Sequence, residues 1–169
     1  MTGSGPSWSI HAAGRVSRGW SRSYACAVAA PYRSVLVKVA RELTGTTIEA
    51  LAVTGWALEE PLSYMVNGDA LYDCQSTTRD HTQDVLAVLD APEHANHHVA
   101  VCIYHGEART GGQLLFFPGR MTCSFIPTIN RRRLPDSADF TDLSWYLHTL
   151  VPPLLTVGLK SYKACDIGH

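Results

Sequence analysis

The residues that most readily suggest a chemical site are histidines, because imidazole is the commonest metal ligand in proteins. Four of them fall within twelve residues: His94, His97, His98 and His105. A strand beginning near His98 would place His98 and His105 on opposite faces. No nearby side chain completes a four-ligand set unless Cys102 or Glu107 folds back. The cluster is therefore a weak metal candidate, and we expect surface histidines and no cofactor.

The cysteines give little indication of catalysis. There are five, widely spaced and without a CxxC pair: Cys26, Cys74, Cys102, Cys123 and Cys165. Cys102 and Cys123 fall in apolar, strand-like runs, which is typical of small buried residues. A Cys102–His105 dyad is not expected, since a separation of three on a strand puts the two side chains on opposite faces. Because an odd number leaves one thiol unpaired in an oxidising compartment, the count favours the cytosol.

Motifs for hydrolysis or phosphate binding are missing from the sequence: neither GxSxG, GxxxxGK[ST] nor GxGxxG occurs. The paired carboxylates, Glu59 with Glu60 and Asp80 with Asp84, are explained by solvation and by a helix start. We therefore predict no catalytic residues. The alternative is a small enzyme whose site is assembled from distant residues, for example a histidine of the 94–105 region with Asp69, Asp73 or Glu107.

The most concentrated charge run is Arg131, Arg132 and Arg133. Adjacent guanidiniums can grip phosphate or an acidic protein patch through paired hydrogen bonds, whereas the alternative is a solvated loop. Aromatic residues do not interleave with the arginines, as single-stranded nucleic acid would require. Trp145 lies just off the apolar stripe of the last predicted helix and is the candidate surface anchor. These four residues form the predicted binding set.

Composition bounds the fold and the partners. The chain has 169 residues, of which 46% are hydrophobic and 17% charged, as expected for one folded domain with a substantial core. A net charge of -1 gives no overall attraction to nucleic acid, and no apolar run is long enough for a membrane span. Residues 1–31 are rich in Ser, Gly and Arg and predict a flexible tail, with a transit peptide or an upstream start codon as alternatives. Residues 32–169 are the predicted domain.

The first half of this domain predicts a helix, a strand and a hairpin. Val35, Leu36, Val39 and Leu43 follow the helical period, so a helix is expected over residues 32–44, with Gly45 at its end. Residues Thr46 to Thr54 favour a strand, although Thr47 to Glu49 could equally open a helix. Two strands, Ser63–Val66 and Ala70–Asp73, flank the turn signal Asn67-Gly68.

The second half is easier to interpret. Asp80 can cap a helix that Pro92 stops, with Val85, Leu86, Val88 and Leu89 inside. Three apolar runs predict an antiparallel meander: His98–His105, Gln113–Phe117 and Met121–Ile126. Asp139 or Thr141 can cap a last helix, which Pro152 and Pro153 should interrupt and Gly158 should end. A short terminal strand is expected from Leu159 to Cys165.

This order predicts an α+β fold: a single domain with a mostly antiparallel sheet, built from two hairpin or meander units, and about three helices packed on it. The scaffold without a catalytic constellation favours a non-enzymatic, cytosolic protein-binding module. A toxin-neutralising immunity protein and a secretion chaperone or adaptor are examples of this class, but no motif identifies a family. The expected partner is another protein, not a membrane or nucleic acid, and the oligomeric state is left open.

Overall fold

A computed structural model describes residues 33–38, 44–67 and 74–166. The tail predicted for residues 1–31 lies outside these residues. The described residues form three α-helices: α1 (Thr44–Ala52), α2 (Thr82–Leu89) and α3 (Leu143–Thr156). The same part of the chain contains ten strands: β1 (Arg33–Lys38), β2 (Trp56–Leu58), β3 (Leu62–Asn67), β4 (Cys74–Thr77), β5 (His98–His105), β6 (Thr110–Phe116), β7 (Thr122–Ile129), β8 (Arg133–Leu134), β9 (Ser137–Thr141) and β10 (Ser161–Asp166). None of the helices in the described part of the chain is long and apolar enough to cross a membrane.

Eight strands form one antiparallel sheet in the order β10-β1-β7-β6-β5-β3-β4, and β2 pairs with the same edge of β5 as β3 does. β8 and β9 form a separate two-stranded hairpin. The predicted α+β class, with an antiparallel sheet and three helices, is confirmed. The central strands β5, β6 and β7 are the predicted meander.

Successive side chains of a strand point to opposite faces of the sheet, so each strand contributes to two surfaces. The first face, which includes Val99, Val101 and Ile103 of β5, packs against all three helices. The resulting core cluster contains Val35, Val37, Ile48, Leu51, Trp56, Leu58, Leu62, Val85, Leu89, Val99, Val101, Ile103, Leu114, Phe116, Cys123, Phe125, Tyr146, Leu150, Leu154 and Val157. The hydrophobic effect that holds the helices on the sheet therefore acts on this one face.

The second face of the sheet is also buried at its centre. Its buried residues are Met65, Ala100, Cys102, Gln113, Ser124 and Ile126. None of the six belongs to the cluster formed with the helices. The sheet thus has two buried faces, of which the described helices cover one.

The helix predicted for residues 32–44 is wrong in its described part, because Arg33–Lys38 is strand β1. Val35 and Val37 are both buried on the first face, so the true period is two, as the β-branched valines favour. Gly45, expected to end a helix, lies in the first turn of α1 instead. The carboxylate of Asp90 accepts hydrogen bonds from the backbone N–H of Thr44 (3.0 Å) and of Gly45 (3.4 Å). This capping group is distant in sequence and gives no local signal.

The strand predicted from Thr46 to Thr54 is wrong, and the alternative of a helix opening there is right, since α1 covers most of the segment. Strand β2 was not predicted. β3 and β4 form an antiparallel hairpin, as predicted, but the residue opposite Met65 is Cys74. A two-residue turn at Asn67-Gly68 would pair Met65 with Ala70, so that turn is wrong, and the predicted second strand Ala70–Asp73 lies outside the described residues.

The predicted second helix is confirmed as α2, with Val85 and Leu89 buried and Leu86 half-buried. The prediction that Val88 also lies inside is wrong, because its side chain is 40% exposed. Asp80 does not cap it, because Asp80 lies in a short 3-10 helix, Arg79–His81, that precedes α2. Pro92 follows α2 as expected and begins another short 3-10 helix, Pro92–His94.

Helix α3 begins and ends on identifiable signals. Its cap is Asp142, whose carboxylate accepts a hydrogen bond from the Trp145 N–H at 3.0 Å, and not the predicted Asp139 or Thr141. Gly158 (φ 81°) ends it as predicted, with the Leu159 N–H donating to the Leu154 carbonyl.

The prolines of α3 do not interrupt the helix as expected. Pro153 removes the N–H that would bond the Thr149 carbonyl. The Thr54 hydroxyl donates to that carbonyl at 2.8 Å and replaces the missing hydrogen bond. The terminal strand is confirmed as β10.

Candidate functional site

The run Arg131 to Arg133 lies at the start of the β8–β9 hairpin. A solvated loop is the alternative that the sequence offered for this run. Arg131 is engaged within the hairpin: its guanidinium donates to the Thr141 hydroxyl (2.9 Å) and to the carbonyls of Asp139 (3.3 Å) and Ala138 (3.5 Å). Arg131 therefore fixes the two arms of the hairpin to each other. Arg133 is in β8, where its side chain is exposed.

Arg132 and Trp145 are brought together as one unit. The Arg132 guanidinium carbon lies 4.8 Å from the centre of the Trp145 ring, within the range of a cation–π interaction. Its Nη2 atom lies 3.6 Å from the carboxylate of Asp142. The Nε of Arg132 is buried and has no hydrogen-bond partner among the residues that the structure describes. Both residues of the pair are half-buried, so each keeps an exposed part.

The base of the hairpin is held by a short hydrogen-bond chain. The Arg132 backbone N–H donates to the Tyr146 hydroxyl at 3.0 Å, and that hydroxyl lies 2.7 Å from the Thr110 hydroxyl. Because Thr110 donates its proton to the Ile129 carbonyl (3.2 Å), Tyr146 must be the donor to Thr110. Tyr146 is fully buried, so the hairpin is fixed to the protein core.

Two apolar side chains of the hairpin were missed by the sequence prediction. Leu134 in β8 is 42% exposed and Phe140 in β9 is 43% exposed. We call Arg132, Leu134, Phe140 and Trp145 the hairpin surface; Arg133 points to the opposite face of β8 from Leu134. Pro135-Asp136, a typical turn pair between the two strands, was the local signal that could have revealed it.

The four histidines do not converge. His94 and His97 are neighbours, with their Nδ1 atoms 3.3 Å apart, and His98 packs against Phe117. His105 is not the surface histidine that was expected: it is buried at the other end of β5, where its ring packs against Trp56 and Trp145. Across residues 33–38, 44–67 and 74–166, no three His, Cys, Asp or Glu side chains are arranged to hold a metal ion.

The buried cysteines behave as core residues. Cys102 and Cys123 are free thiols, and burial raises the pKa of each to about 12; for Cys102 the negative charge of Glu59 adds to the effect. A thiol with so high a pKa is a poor nucleophile at neutral pH. Cys165 is also free, whereas Cys74 is disulfide-bonded.

A cavity of about 430 Å³ opens where β2, β5 and β7 end. It is lined by Ala57, Leu58, Glu59, Glu60, Arg79, Tyr104, Gly106, Ile129 and Asn130. This volume is within the range of roughly 300–1,000 Å³ typical of small-ligand sites. Asn130 has a positive φ of 42° and directly precedes the arginine run, so the cavity adjoins the base of the hairpin.

Glu59 is a cavity residue whose pKa is shifted by its surroundings. Burial raises its pKa above the ordinary value of 4.5, because the charged carboxylate loses water. Its backbone N–H donates to the Cys102 carbonyl at 3.3 Å, which continues the pairing of β2 with β5. Arg79 also lines this cavity, and its guanidinium donates to the Leu58 carbonyl at 3.1 Å. A carboxyl that keeps its proton to higher pH can exchange protons with a bound molecule.

Comparisons with protein-family models, curated proteins and solved structures found no match to this chain.

Proposed function

We propose that the protein is a non-enzymatic binding module that docks another protein on the hairpin surface. The observation that carries this proposal is the exposure of Leu134 and Phe140 on a hairpin whose base is tied to the core. Apolar side chains held in place by fixed backbone lose little conformational freedom on binding, which favours affinity. Immunity proteins that neutralise toxins and secretion chaperones are modules of this class.

The hairpin surface also indicates the chemistry of the partner. Leu134 and Phe140 provide apolar contact, while Arg132 is stacked on Trp145. Arginine and tryptophan are among the residues that most often carry binding energy at protein interfaces. The partner that fits is a protein with an apolar patch bordered by a carboxylate, which the Arg132 guanidinium can bind by charge-assisted hydrogen bonds.

Replacing both Leu134 and Phe140 with aspartate should abolish partner binding without unfolding the protein. Buried apolar anchors at interfaces contribute about 2 kcal/mol or more each, so affinity should fall by roughly 100-fold or more. The measurement is quantitative mass spectrometry of proteins cross-linked to the tagged chain in its native cells, followed by calorimetry with each purified partner.

Leu155→Asp is the matched control, because Leu155 is an exposed apolar residue (61%) of α3 outside the hairpin surface. It should retain the partners that the double variant loses. Recovery of the same proteins by the double variant at wild-type levels would refute the proposed surface.

A second candidate function is a small enzyme or ligand-binding protein, and the cavity around Glu59 is the observation that favours it. A perturbed carboxyl in a concave site is a typical feature of active sites. None of the four clustered histidines lines this cavity. An active site here would use Glu59, Tyr104 and Asn130 in place of the histidine site that the sequence suggested as the alternative.

Glu59→Gln should increase stability at neutral pH. Because the pKa of Glu59 is raised in the folded state, wild type and E59Q should match below pH 4.5, where the carboxyl is protonated in both states. As the pH rises through the folded pKa, the wild type must bury a charge and should lose stability relative to E59Q. Urea unfolding between pH 4 and pH 8 measures this difference.

Glu60→Gln is the control for E59Q, since it removes the same charge from an exposed neighbour in the same cavity. If both substitutions alter the pH profile equally, desolvation of Glu59 is not the cause. Partner capture should be unchanged in E59Q, which separates the cavity from the hairpin surface.

A cytosolic location is part of the proposed function. It is supported by the free thiols Cys102, Cys123 and Cys165. The disulfide at Cys74 argues in the opposite direction, because glutathione keeps cytosolic thiols reduced. Alkylation of the protein in intact cells before lysis decides between them: a labelled Cys74 supports the cytosol and excludes a Cys74 disulfide in the cell, whereas a protected Cys74 opposes the cytosol and supports the disulfide.

A further inference from the structure

The second face of the sheet is buried at its centre. Its residues there are at most 8% exposed: Met65, Ala100, Cys102, Gln113, Ser124 and Ile126. The three helices pack on the opposite face, and their core cluster includes none of these residues. A covering segment is therefore required on the second face.

Cys74 shows where such a segment is attached. Met65 and Cys74 are cross-strand partners in β3 and β4, so their side chains point to the same face, the second one. Cys74 is disulfide-bonded, and Cys102, Cys123 and Cys165 are free. Because the sequence has five cysteines, the partner that we infer for Cys74 is Cys26.

We propose that residues 27–32 cross the second face of the sheet as a strap, attached to β1 at one end and to β4 through a Cys26–Cys74 disulfide at the other. In the sheet order, β7, β6, β5 and β3 lie between β1 and β4. A chain joining these two strands by the direct route must pass over all four.

The segment is too short to go around the sheet, so it must take this direct route. The registers place Cys74 in line with Leu36 across the sheet. Five strand spacings of about 4.8 Å and a shift of three residues from Leu36 to Arg33 give roughly 26 Å on a flat sheet. Seven steps from Cys26 to Arg33 reach at most about 25 Å, plus about 5.5 Å across the disulfide. The strap must therefore be nearly extended and has little slack.

The line of the strap coincides with the buried residues. Ser124, Leu115, Ala100 and Met65 occupy the row between Leu36 and Cys74, and Ile126, Gln113 and Cys102 occupy a parallel row beside it. The segment itself reads Ala27-Val28-Ala29-Ala30-Pro31-Tyr32, without a charge. Small apolar side chains in extended backbone suit a close approach to alanine, cysteine and serine, and the residue before Pro31 favours extended conformations.

The first test is peptide mapping of the full chain without reduction, which should recover a peptide pair joined through Cys26 and Cys74. The second is native maleimide labelling of Cys26→Ser, with Cys165→Ser as the control. Labelling of Cys102 should rise by roughly tenfold or more as the strap opens, while Cys123, which lies under the helices, stays protected. Absence of the joined peptides, or equal labelling of Cys102 in wild type and C26S, overturns the proposal.

Should C26S unfold and expose Cys123 as well, photo-cross-linking of the wild-type disulfide protein decides instead. With benzoylphenylalanine at position 29, cross-links should form to peptides of β5, β6 or β7. Cross-links to the helices, or none within the chain, refute the strap.

Discussion

Arg120→Ala is expected to lower the free energy of unfolding by about 3–5 kcal/mol, because several buried carbonyls lose charged hydrogen bonds that contribute about 1.5–3 kcal/mol each. Arg120 is only 5% exposed. Its Nη1 donates to the His97 carbonyl at 2.7 Å, and its Nη2 donates to the carbonyls of His94 (2.6 Å) and Leu89 (3.1 Å). One side chain thus links the end of α2, the following 3-10 helix and the start of β5.

The physical reason for the large effect is that three carbonyls lose a charged donor at once. Hydrogen bonds to charged groups contribute about 1.5–3 kcal/mol each, and a buried carbonyl left without a donor costs more than a solvated one. Burial lowers the pKa of Arg120, while the nearby Asp90 carboxylate acts in the opposite direction. Asp90 also caps α1, so the loss should extend to that helix.

Arg109→Ala is the matched control. Arg109 and Arg120 both have positive φ values, 51° and 55°, so alanine meets the same backbone cost at both positions. Arg109 is exposed in the β5–β6 turn, and its substitution should cost about 1 kcal/mol or less. Urea unfolding measures the free energy of unfolding of both variants, and an unchanged m-value shows that the unfolding transition is the same. A difference under about 1 kcal/mol would show that the carbonyl contacts contribute little.

Gly112→Ala should destabilise the protein by about 3 kcal/mol or more, the upper range for overpacking a rigid site. A Cβ at this position would overlap the carbonyl oxygen of Ile126 and lie 2.9 Å from the Phe125 ring. The obstacle on one side is backbone of the neighbouring strand, which cannot rotate away. Gly112 also lies at the irregular register between β6 and β7, so relief would require the central strands to shift.

Gly106→Ala is the control for this prediction, because a Cβ there would meet nothing within 4 Å. It should change the free energy of unfolding by less than about 1 kcal/mol. Thermal and urea unfolding of both variants give the comparison. If G112A had near-native stability, the prediction would be wrong, because β6 and β7 could then move apart at this position at little cost in free energy.

The parts of the fold that the sequence predicted are those determined by local pattern. The meander follows from three apolar runs with turn residues between them, and α3 follows from its helical stripe and Gly158. The wrong predictions depend on partners far along the chain. The pattern of Val35 and Val37 is compatible with a helix, and only the pairing of β1 with β7 and β10 makes the segment a strand. Helix α1 begins at Thr44 because the carboxylate of Asp90, far along the chain, caps it.

The candidate site was predicted less completely than the fold. The arginine run and Trp145 were found by residue type, but their contact depends on how α3 meets the hairpin. Leu134 and Phe140 were missed because each is a single apolar residue without period. Glu59 was assigned to solvent, because the burial that shifts its pKa arises only once β2 pairs with β5, which is distant in sequence.

Strand β1 has a consequence for synthesis on the ribosome. It pairs with β7 on one side and with β10 on the other, and Arg33 meets Asp166 in this register. The earliest described strand to leave the exit tunnel must therefore wait for segments made much later, β10 last among them. Until then its backbone donors and acceptors are open to other chains, so the nascent polypeptide is most exposed to aggregation before its last strand emerges.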